Sequence, residues 1–359
     1  MRPTVHFIYT VPRGSVAYRA LGRLLTSVGL PPLHRLGIDV LIPWKRPIRA
    51  PHSISFHLLH ALQKRYRVRF YSIYEHTVAP VRSGDLVLAQ PAPVTTDNPP
   101  RQIDKEAVTH RTFYEHPEVK KIIIMPYSGD SLYTAWWKDL VRDHGANCIF
   151  LCGKIWIDRW NLSPFKGLSI KRLLRLNMCI DQDEYPLVKS SFNSKGKRGY
   201  LYIGHVSWYK NTSQLERIAE AMPEYTFGHI GGGHIRGWEK ISEFADLTPQ
   251  FMAKIAEVYD VFVNCSTADP QATTILEQMC FGFAVACTPE SGYTYDSVIP
   301  LSTTDTIFNV KQLLKLQNLD QEILLEWSKK NREYARLFHH WEAFSKEIMK
   351  YIYETRTKS

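Results

Sequence analysis

Between residues 200 and 288 short apolar runs alternate with helix-length segments, joined by brief loops. That rhythm is what a parallel sheet covered by helices demands, because every crossover must return the chain to the same end of the sheet. The runs 200–203, 225–230, 261–265 and 284–288 read as strands. The segments 213–222, 249–257 and 274–281 read as helices, the last stopped by Gly282. Ser213 and Glu216 have capping-box spacing at the start of the first of these helices. Ligands of such sheets collect at the carboxyl ends of the strands. The loop GHVSWYKN at 204–211 and the run Gly231, Gly232, Gly233 occupy such ends.

The first half has the same texture with more irregular material. Strands are predicted at 5–10, 68–73, 86–89, 122–125 and 148–152, and helices near 53–65 and 131–143. The Pro-rich stretch 74–118 predicts long loops, which in a compact domain usually carry function. SSFNSKGKRG at 190–199 is polar and turn-rich and marks the boundary between the halves. Residues 320–356 are helical in composition, and their aromatic residues Trp327, Tyr334, Phe338, Trp341, Phe344 and Tyr351 are expected mostly in the core.

Charge separates the halves. Residues 1–180 hold 26 Lys and Arg against 12 Asp and Glu, while residues 181–359 hold 19 against 23. Lys45, Arg46 and Arg49 beside Trp44, then Lys64, Arg65, Arg67 and Arg69, then Lys171, Arg172 and Arg175 form local clusters suited either to an anionic partner or to a solvated basic face. The six cysteines, 148, 152, 179, 265, 280 and 287, lie mostly in apolar runs without zinc-ligand spacing, so they read as buried thiols. No run of about 20 apolar residues is long enough to cross a bilayer. The N-terminus leads straight into a strand-like segment. The cytoplasm is the expected location, with attachment to the inner face of a membrane kept open.

STADPQATTILEQMCFGFAV at 266–285 concentrates the chemistry. Asp269 and Glu277 flank a predicted helix start with seven residues between them, a spacing that lets a loop acid and a helix acid face one ligand. Thr274 and Glu277 also have capping-box spacing, which is a purely local reading of the same residues. Lys210 can reach phosphate oxygens as a mobile point charge, and the glycine run lets backbone amides approach an anion. The run lacks the G-x-G-x-x-G spacing of a dinucleotide site.

These segments together resemble the retaining GT-B glycosyltransferases, in particular the family 4 group, over roughly residues 170–300. LNMCIDQDEYPL resembles the interdomain linker through Asp181, Tyr185 and Pro186. GHVSWYKN resembles the Gly-Arg and Lys-Gly segment, with Gly204 and Lys210 matching and His205 in place of the Arg. VFVNCSTADPQATTILEQMCFGFAVACTPESGY resembles the donor-binding segment. The resemblance implies an α/β chain of GT-B architecture, with two Rossmann-like parallel-sheet domains facing a cleft. It divides the chain into an acceptor-binding domain (1–185), a nucleotide-sugar-binding domain (186–335) and a C-terminal helix (336–359) that packs back on the first domain.

By that resemblance Asp269 and Lys210 are the catalytic candidates. Gly204, His205, Lys210, Gly232, Gln271, Ala272, Thr273, Thr274 and Glu277 are the donor-binding candidates. Glu277 matches the glutamate that holds the nucleotide ribose, and a carboxylate accepts two hydroxyls readily. Asp269 is one methylene shorter than its counterpart near the transferred sugar. His205 replaces an always-charged Arg by a side chain whose ordinary pKa is about 6.5; Arg236 and Lys240 are nearby cations that could compensate. Gln271, Ala272 and Thr273 stand where the family has a Gly-containing triplet, and their bulk narrows the sugar pocket.

The activity implied is hexosyl transfer from a UDP or GDP sugar to a saccharide or lipid-linked acceptor, with retention, in polysaccharide or glycolipid synthesis. No cofactor and no metal are expected, because Lys210 and a helix N-terminus supply the positive charge. Asp181 and Asp183 form a D-x-D, the metal-binding arrangement of the other main glycosyltransferase fold, but within the matched linker. His52, His57, His60, His76, His110 and His116, and the loop Tyr127, Ser128, Gly129 and Asp130, are acceptor-side candidates. The basic first half suits an anionic membrane surface; nucleic acid is not expected as a partner. A DNA-modifying GT-B enzyme and a non-catalytic nucleotide-sugar-binding protein stand as alternatives.

Overall fold

The computed structural model describes residues 4–10, 16–30, 52–73, 81–90, 111–125, 144–153, 157–158 and 172–357. The predicted helix 131–143, residues 127–130, His76, His110, the cluster at 44–49 and Lys171 lie outside the described residues.

The first domain carries β1 (Thr4–Tyr9), α1 (Val16–Ser27), α2 (His52–Gln63), β2 (Arg67–Ser72), β3 (Leu86–Ala89), α3 (Arg111–Glu115), β4 (Lys120–Met125), β5 (Cys148–Cys152) and β6 (Leu173–Leu176). Its sheet runs β2-β1-β3-β4-β5-β6, and every pair is parallel. β3 and β5 are buried along their whole length, which is why they read as unbroken apolar runs.

The second domain carries β7 (Gly199–Ile203), α4 (Thr212–Ala221), β8 (Phe227–Ile230), β9 (Glu239–Ser242), α5 (Pro249–Val258), β10 (Tyr259–Asn264), α6 (Thr273–Phe281), β11 (Ala284–Cys287), β12 (Val298–Pro300), α7 (Thr306–Asn318) and α8 (Gln321–Phe338). Its parallel sheet runs β12-β11-β10-β7-β8-β9, the doubly wound order in which the direction of winding reverses between β10 and β7. The predicted strands and helices of this half are present with ends shifted by two residues at most.

Two sets of contacts go beyond the sequence reading. The stretch 190–199, polar and turn-rich in the sequence, is stitched into the second domain by side-chain contacts. The buried Asp260 carboxylate accepts the Asn193 and Gly199 amides at 2.8 and 3.1 Å and pairs with Lys189 Nζ at 2.7 Å. Burial lowers the Lys189 pKa while Asp260 opposes that shift. Arg198, also buried, donates to the carbonyls of Asn193 at 3.1 Å and Leu319 at 2.8 Å. The second corrects it at the Ser213–Glu216 box: α4 starts one residue earlier, and Glu216 accepts the Arg236 amide at 3.1 Å instead.

The last helix, α9 (Trp341–Thr357), leaves the second domain after α8 and lies on the first. Trp341 stacks on His57 of α2 with ring centroids 4.5 Å apart, and the Tyr351 hydroxyl donates to the Asn147 carbonyl at 2.8 Å. Trp341, Phe344 and Tyr351 are buried as expected, whereas Phe338 is 46% exposed. One apolar core runs through both sheets by way of Met178, Cys179, Ile180 and Tyr185 in the crossing segment. All six cysteines are buried and free. Burial pushes Cys148, Cys265 and Cys280 up to about 12, which keeps these thiols protonated and inert. No described helix is long and apolar enough to cross a membrane.

Candidate functional site

The winding reversal leaves the loops after β7 and β10 side by side, and both were singled out in the sequence. The Tyr209 carbonyl accepts the Thr267 amide at 2.8 Å, and the Asn211 side chain donates to the Cys265 carbonyl at 3.1 Å. Asn211 makes this bond from a left-handed conformation with φ 54°, a geometry Asn tolerates better than most residues. Held in this way, Lys210 on the first loop forms an ion pair with Asp269 on the second. The catalytic candidates are therefore in contact, and each neutralises the other.

α6 follows the Asp269 loop, and its first turn is uncapped. The N-cap residue is Ala272, which has no side-chain oxygen to offer the first amides of the helix. Thr274, at the second helical position, has a buried hydroxyl with no hydrogen-bond partner among the described residues. The capping-box reading of Thr274 and Glu277 is thus overturned. The helix begins at Thr273, so Thr274 lies inside the first turn, and the buried Glu277 carboxylate instead accepts the Tyr185 hydroxyl at 3.2 Å. Asp269 and Glu277 each have a protein partner, one on the β7 loop and one on the interdomain segment.

The glycine run is used differently from the sequence expectation. Gly231 has φ 139°, and a Cβ there would sit 2.1 Å from the Gly204 carbonyl oxygen, so only glycine allows the two loops this approach. The Gly232 amide donates to His205 Nδ1 at 3.1 Å. That bond places the His205 proton on Nε2 and gives the imidazole a task that an Arg, which has no acceptor, cannot perform. Lys240 is bound to the Gly231 and Gly233 carbonyls, and Arg236 pairs with Glu220 at 3.6 Å with both side chains exposed. Both cations are thus engaged with groups of the second domain.

Gln271 also departs from its expected place. Its φ is 50°, its amide donates to the Ser291 carbonyl at 2.9 Å, and its side chain is buried. The carboxamide turns toward the interdomain segment: Oε1 accepts the Met178 amide at 2.6 Å and Nε2 donates to Asn177 Oδ1 at 3.2 Å. Gln271 ties the loop before α6 to the interdomain segment, a role that a residue identity alone does not reveal. The Tyr293 hydroxyl, with its pKa raised well above the ordinary value by burial, donates to the Ala272 carbonyl at 3.1 Å and steadies the same turn.

Among the acceptor-side candidates, His57 is packed under Trp341 and His60 Nδ1 bonds the Phe56 carbonyl at 2.8 Å. The D-x-D pair lies on a short 3-10 turn, where the intervening Gln182 donates to the Arg332 carbonyl at 3.0 Å.

The chain is similar over its whole length to the structures of sucrose-phosphate synthase from Thermosynechococcus elongatus (TM-score 0.57, 11% identity, 100% of both chains) and of a glycosyltransferase from Rickettsia africae (TM-score 0.57, 9% identity, 100% of this chain and 99% of that one). A third similar structure is the UDP-forming alpha,alpha-trehalose-phosphate synthase from Burkholderia xenovorans, in complex with glucose 6-phosphate (TM-score 0.52, 9% identity, 75% of this chain and 73% of that one). No protein-family model and no curated protein sequence matches the chain. At these identities the likeness is one of fold, and the fold is GT-B, as the sequence led us to expect.

Proposed function

We propose that this chain is a hexosyltransferase that takes a sugar from a nucleoside diphosphate donor held on the second domain and passes it, with retention, to a saccharide or lipid-linked acceptor held on the first. The observation that carries the reading is the uncapped start of α6 at the winding reversal, with Lys210 and Asp269 on the adjoining loops and Glu277 one turn inside the helix. Free amides at a helix start attract a phosphate through both hydrogen bonds and the helix dipole. The family resemblance of the Lys210 loop and the 261–293 segment supports retention, and the UDP-forming neighbour supports UDP or GDP as the carrier.

In this reading the donor diphosphate competes with Asp269 for Lys210. Once Lys210 turns to the phosphates, the freed Asp269 carboxylate accepts hydroxyls of the sugar being transferred. Glu277 accepts the ribose hydroxyls while Tyr185 holds it in place. The bond to the leaving diphosphate breaks through an oxocarbenium-like transition state, and Lys210 with the α6 amides stabilises the departing charge. No metal is needed for that charge. Closure of the domains excludes water, which competes as acceptor.

Attachment to an anionic membrane completes the proposal. Leu21 and Leu24 on α1 and Val28 in the turn just after it are exposed apolar side chains, between 44 and 62% accessible, in the half of the chain that carries the positive charge. Such side chains suit the interface of an anionic bilayer.

The test is a thermal-shift screen of UDP and GDP sugars, followed by donor hydrolysis and transfer assays with and without EDTA. We expect stabilisation by one nucleotide class, and turnover that EDTA leaves unchanged and Lys210→Ala lowers about 100-fold. Tight nucleotide binding with no hydrolysis or transfer to any acceptor would instead establish a binding protein.

A further inference from the structure

A crevice of about 390 Å³ opens where both interdomain crossings meet. Its walls come from the end of β6, the segment after it, the β11–β12 loop, the end of α8 and the first turns of α9. Sites at domain junctions of this size, mostly apolar with a few convergent polar groups, are where small ligands bind.

Three features give the crevice a chemistry. First, Tyr295 and Phe338 line the crevice with near-parallel rings 6.2 Å apart at 16°, and Tyr295 stacks on Tyr334 behind it at 4.3 Å and 13°. The Tyr295 hydroxyl is fixed by His339 Nε2 at 2.6 Å, so the platform is pre-organised. Second, among the described residues Arg175 donates through Nε alone, to Asn177 Oδ1 at 3.0 Å. No carboxylate among the described residues pairs with its guanidinium, and the fork that remains matches a phosphate in geometry and charge. Third, Glu347 enters the same space from α9 and pairs with no cation among the described residues, which leaves it as an acceptor for hydroxyl groups.

We propose that this crevice is a second ligand site that takes a sugar monophosphate, with the ring face on the aromatic stack, the phosphate on Arg175 and hydroxyls on Glu347. The site is joined to the α6 loop through one side chain. Asn177 Oδ1 accepts both Arg175 Nε and Gln271 Nε2, and Gln271 in turn holds the positive-φ position two residues after Asp269. A phosphate that draws Arg175 away alters the partner of Gln271, so ligand in the crevice changes affinity at the donor loop, and the change is reciprocal. This coupling rests on the donor reading of that loop; binding in the crevice does not.

The test is calorimetric titration of the whole chain with glucose 6-phosphate, with glucose and inorganic phosphate as separate probes. Wild type is compared with Arg175→Gln, Phe338→Ala and Lys210→Ala. We expect glucose 6-phosphate to bind more tightly than either simpler probe, at least tenfold more weakly to Arg175→Gln and to Phe338→Ala, and within twofold of wild type to Lys210→Ala. Absence of binding, equal binding of inorganic phosphate, or weakening by Lys210→Ala alone each overturns the site. In the second arm, saturating glucose 6-phosphate shifts the dissociation constant of the nucleotide that binds, UDP or GDP, at least threefold in wild type and leaves it unchanged in Gln271→Gly; an equal shift in both overturns the coupling. Failure of both UDP and GDP to bind while glucose 6-phosphate binds as described contradicts the donor reading and leaves the crevice site standing.

Discussion

In the proposed reading, Lys210 and Asp269 are the residues that a donor rearranges first. An ion pair with both side chains mostly buried loses hydration on both partners, and its attraction offsets that loss only while the partners stay together. An incoming diphosphate gives Lys210 a replacement partner and leaves Asp269 beside more negative charge. We therefore expect Asp269→Asn to tighten UDP or GDP binding several-fold, because the variant frees Lys210 and removes a repulsive charge, and to lower sugar transfer. Calorimetry with the nucleotide and a transfer assay read the two effects separately; weaker nucleotide binding contradicts the competition. His205 likewise has a protein partner. As acceptor of the Gly232 amide it belongs to the packing of the two loops, and only the partner explains why an imidazole stands at that position.

At the level of elements, the sequence was legible where burial dictated the pattern and opaque where partners from elsewhere intervened. β10 and β11 are buried throughout and read directly as apolar runs. β9 has only exposed and half-buried residues, and β12 has three residues in all, so neither carries a periodic signal. Both expected capping boxes fail for one reason. α4 and α6 each start one residue before the Ser or Thr of the motif, and the acids three positions on are taken by Arg236 and Tyr185, which only the fold brings near. The uncapped Ala272 suggests a substitution that separates stability from function. Ala272→Ser supplies the missing oxygen and should stabilise the fold by about 1 kcal/mol, while its hydroxyl occupies an amide the phosphate needs. We expect a higher melting temperature and weaker nucleotide binding; stabilisation with unchanged affinity shows that the phosphates lie elsewhere.

The whole molecule is held at two crossings that meet at His339. Its Nδ1 bonds the Met178 carbonyl at 2.6 Å, its Nε2 the Tyr295 hydroxyl at 2.6 Å, and its carbonyl accepts the Ile180 amide at 3.0 Å. Burial lowers its pKa to about 4, opposed by the Met178 carbonyl and assisted by the charge of Arg175. A histidine kept neutral in the fold costs stability once the unfolded chain takes up a proton. Stability should thus be full above about pH 6.5, fall as the pH drops from there to about 4, and lose at most roughly 3 kcal/mol over that window. Urea denaturation between pH 7 and 4 measures the loss, and His339→Gln should flatten the slope. The two-domain plan was legible because each half repeats the strand and helix rhythm. The hinge was not, since Asn177, Gln271 and His339 act through contacts between segments about 90 and 160 residues apart.

The central claim is that Glu277 and the start of α6 hold a nucleoside diphosphate. Titration of UDP and GDP into wild type and Glu277→Gln tests it most directly, because Gln keeps an acceptor for Tyr185 and leaves the fold intact while weakening the grip on the ribose hydroxyls. The account predicts micromolar binding of one nucleotide, a loss of at least tenfold in the variant, and an unchanged melting temperature. Absence of binding by either nucleotide, or equal affinity of variant and wild type, contradicts it.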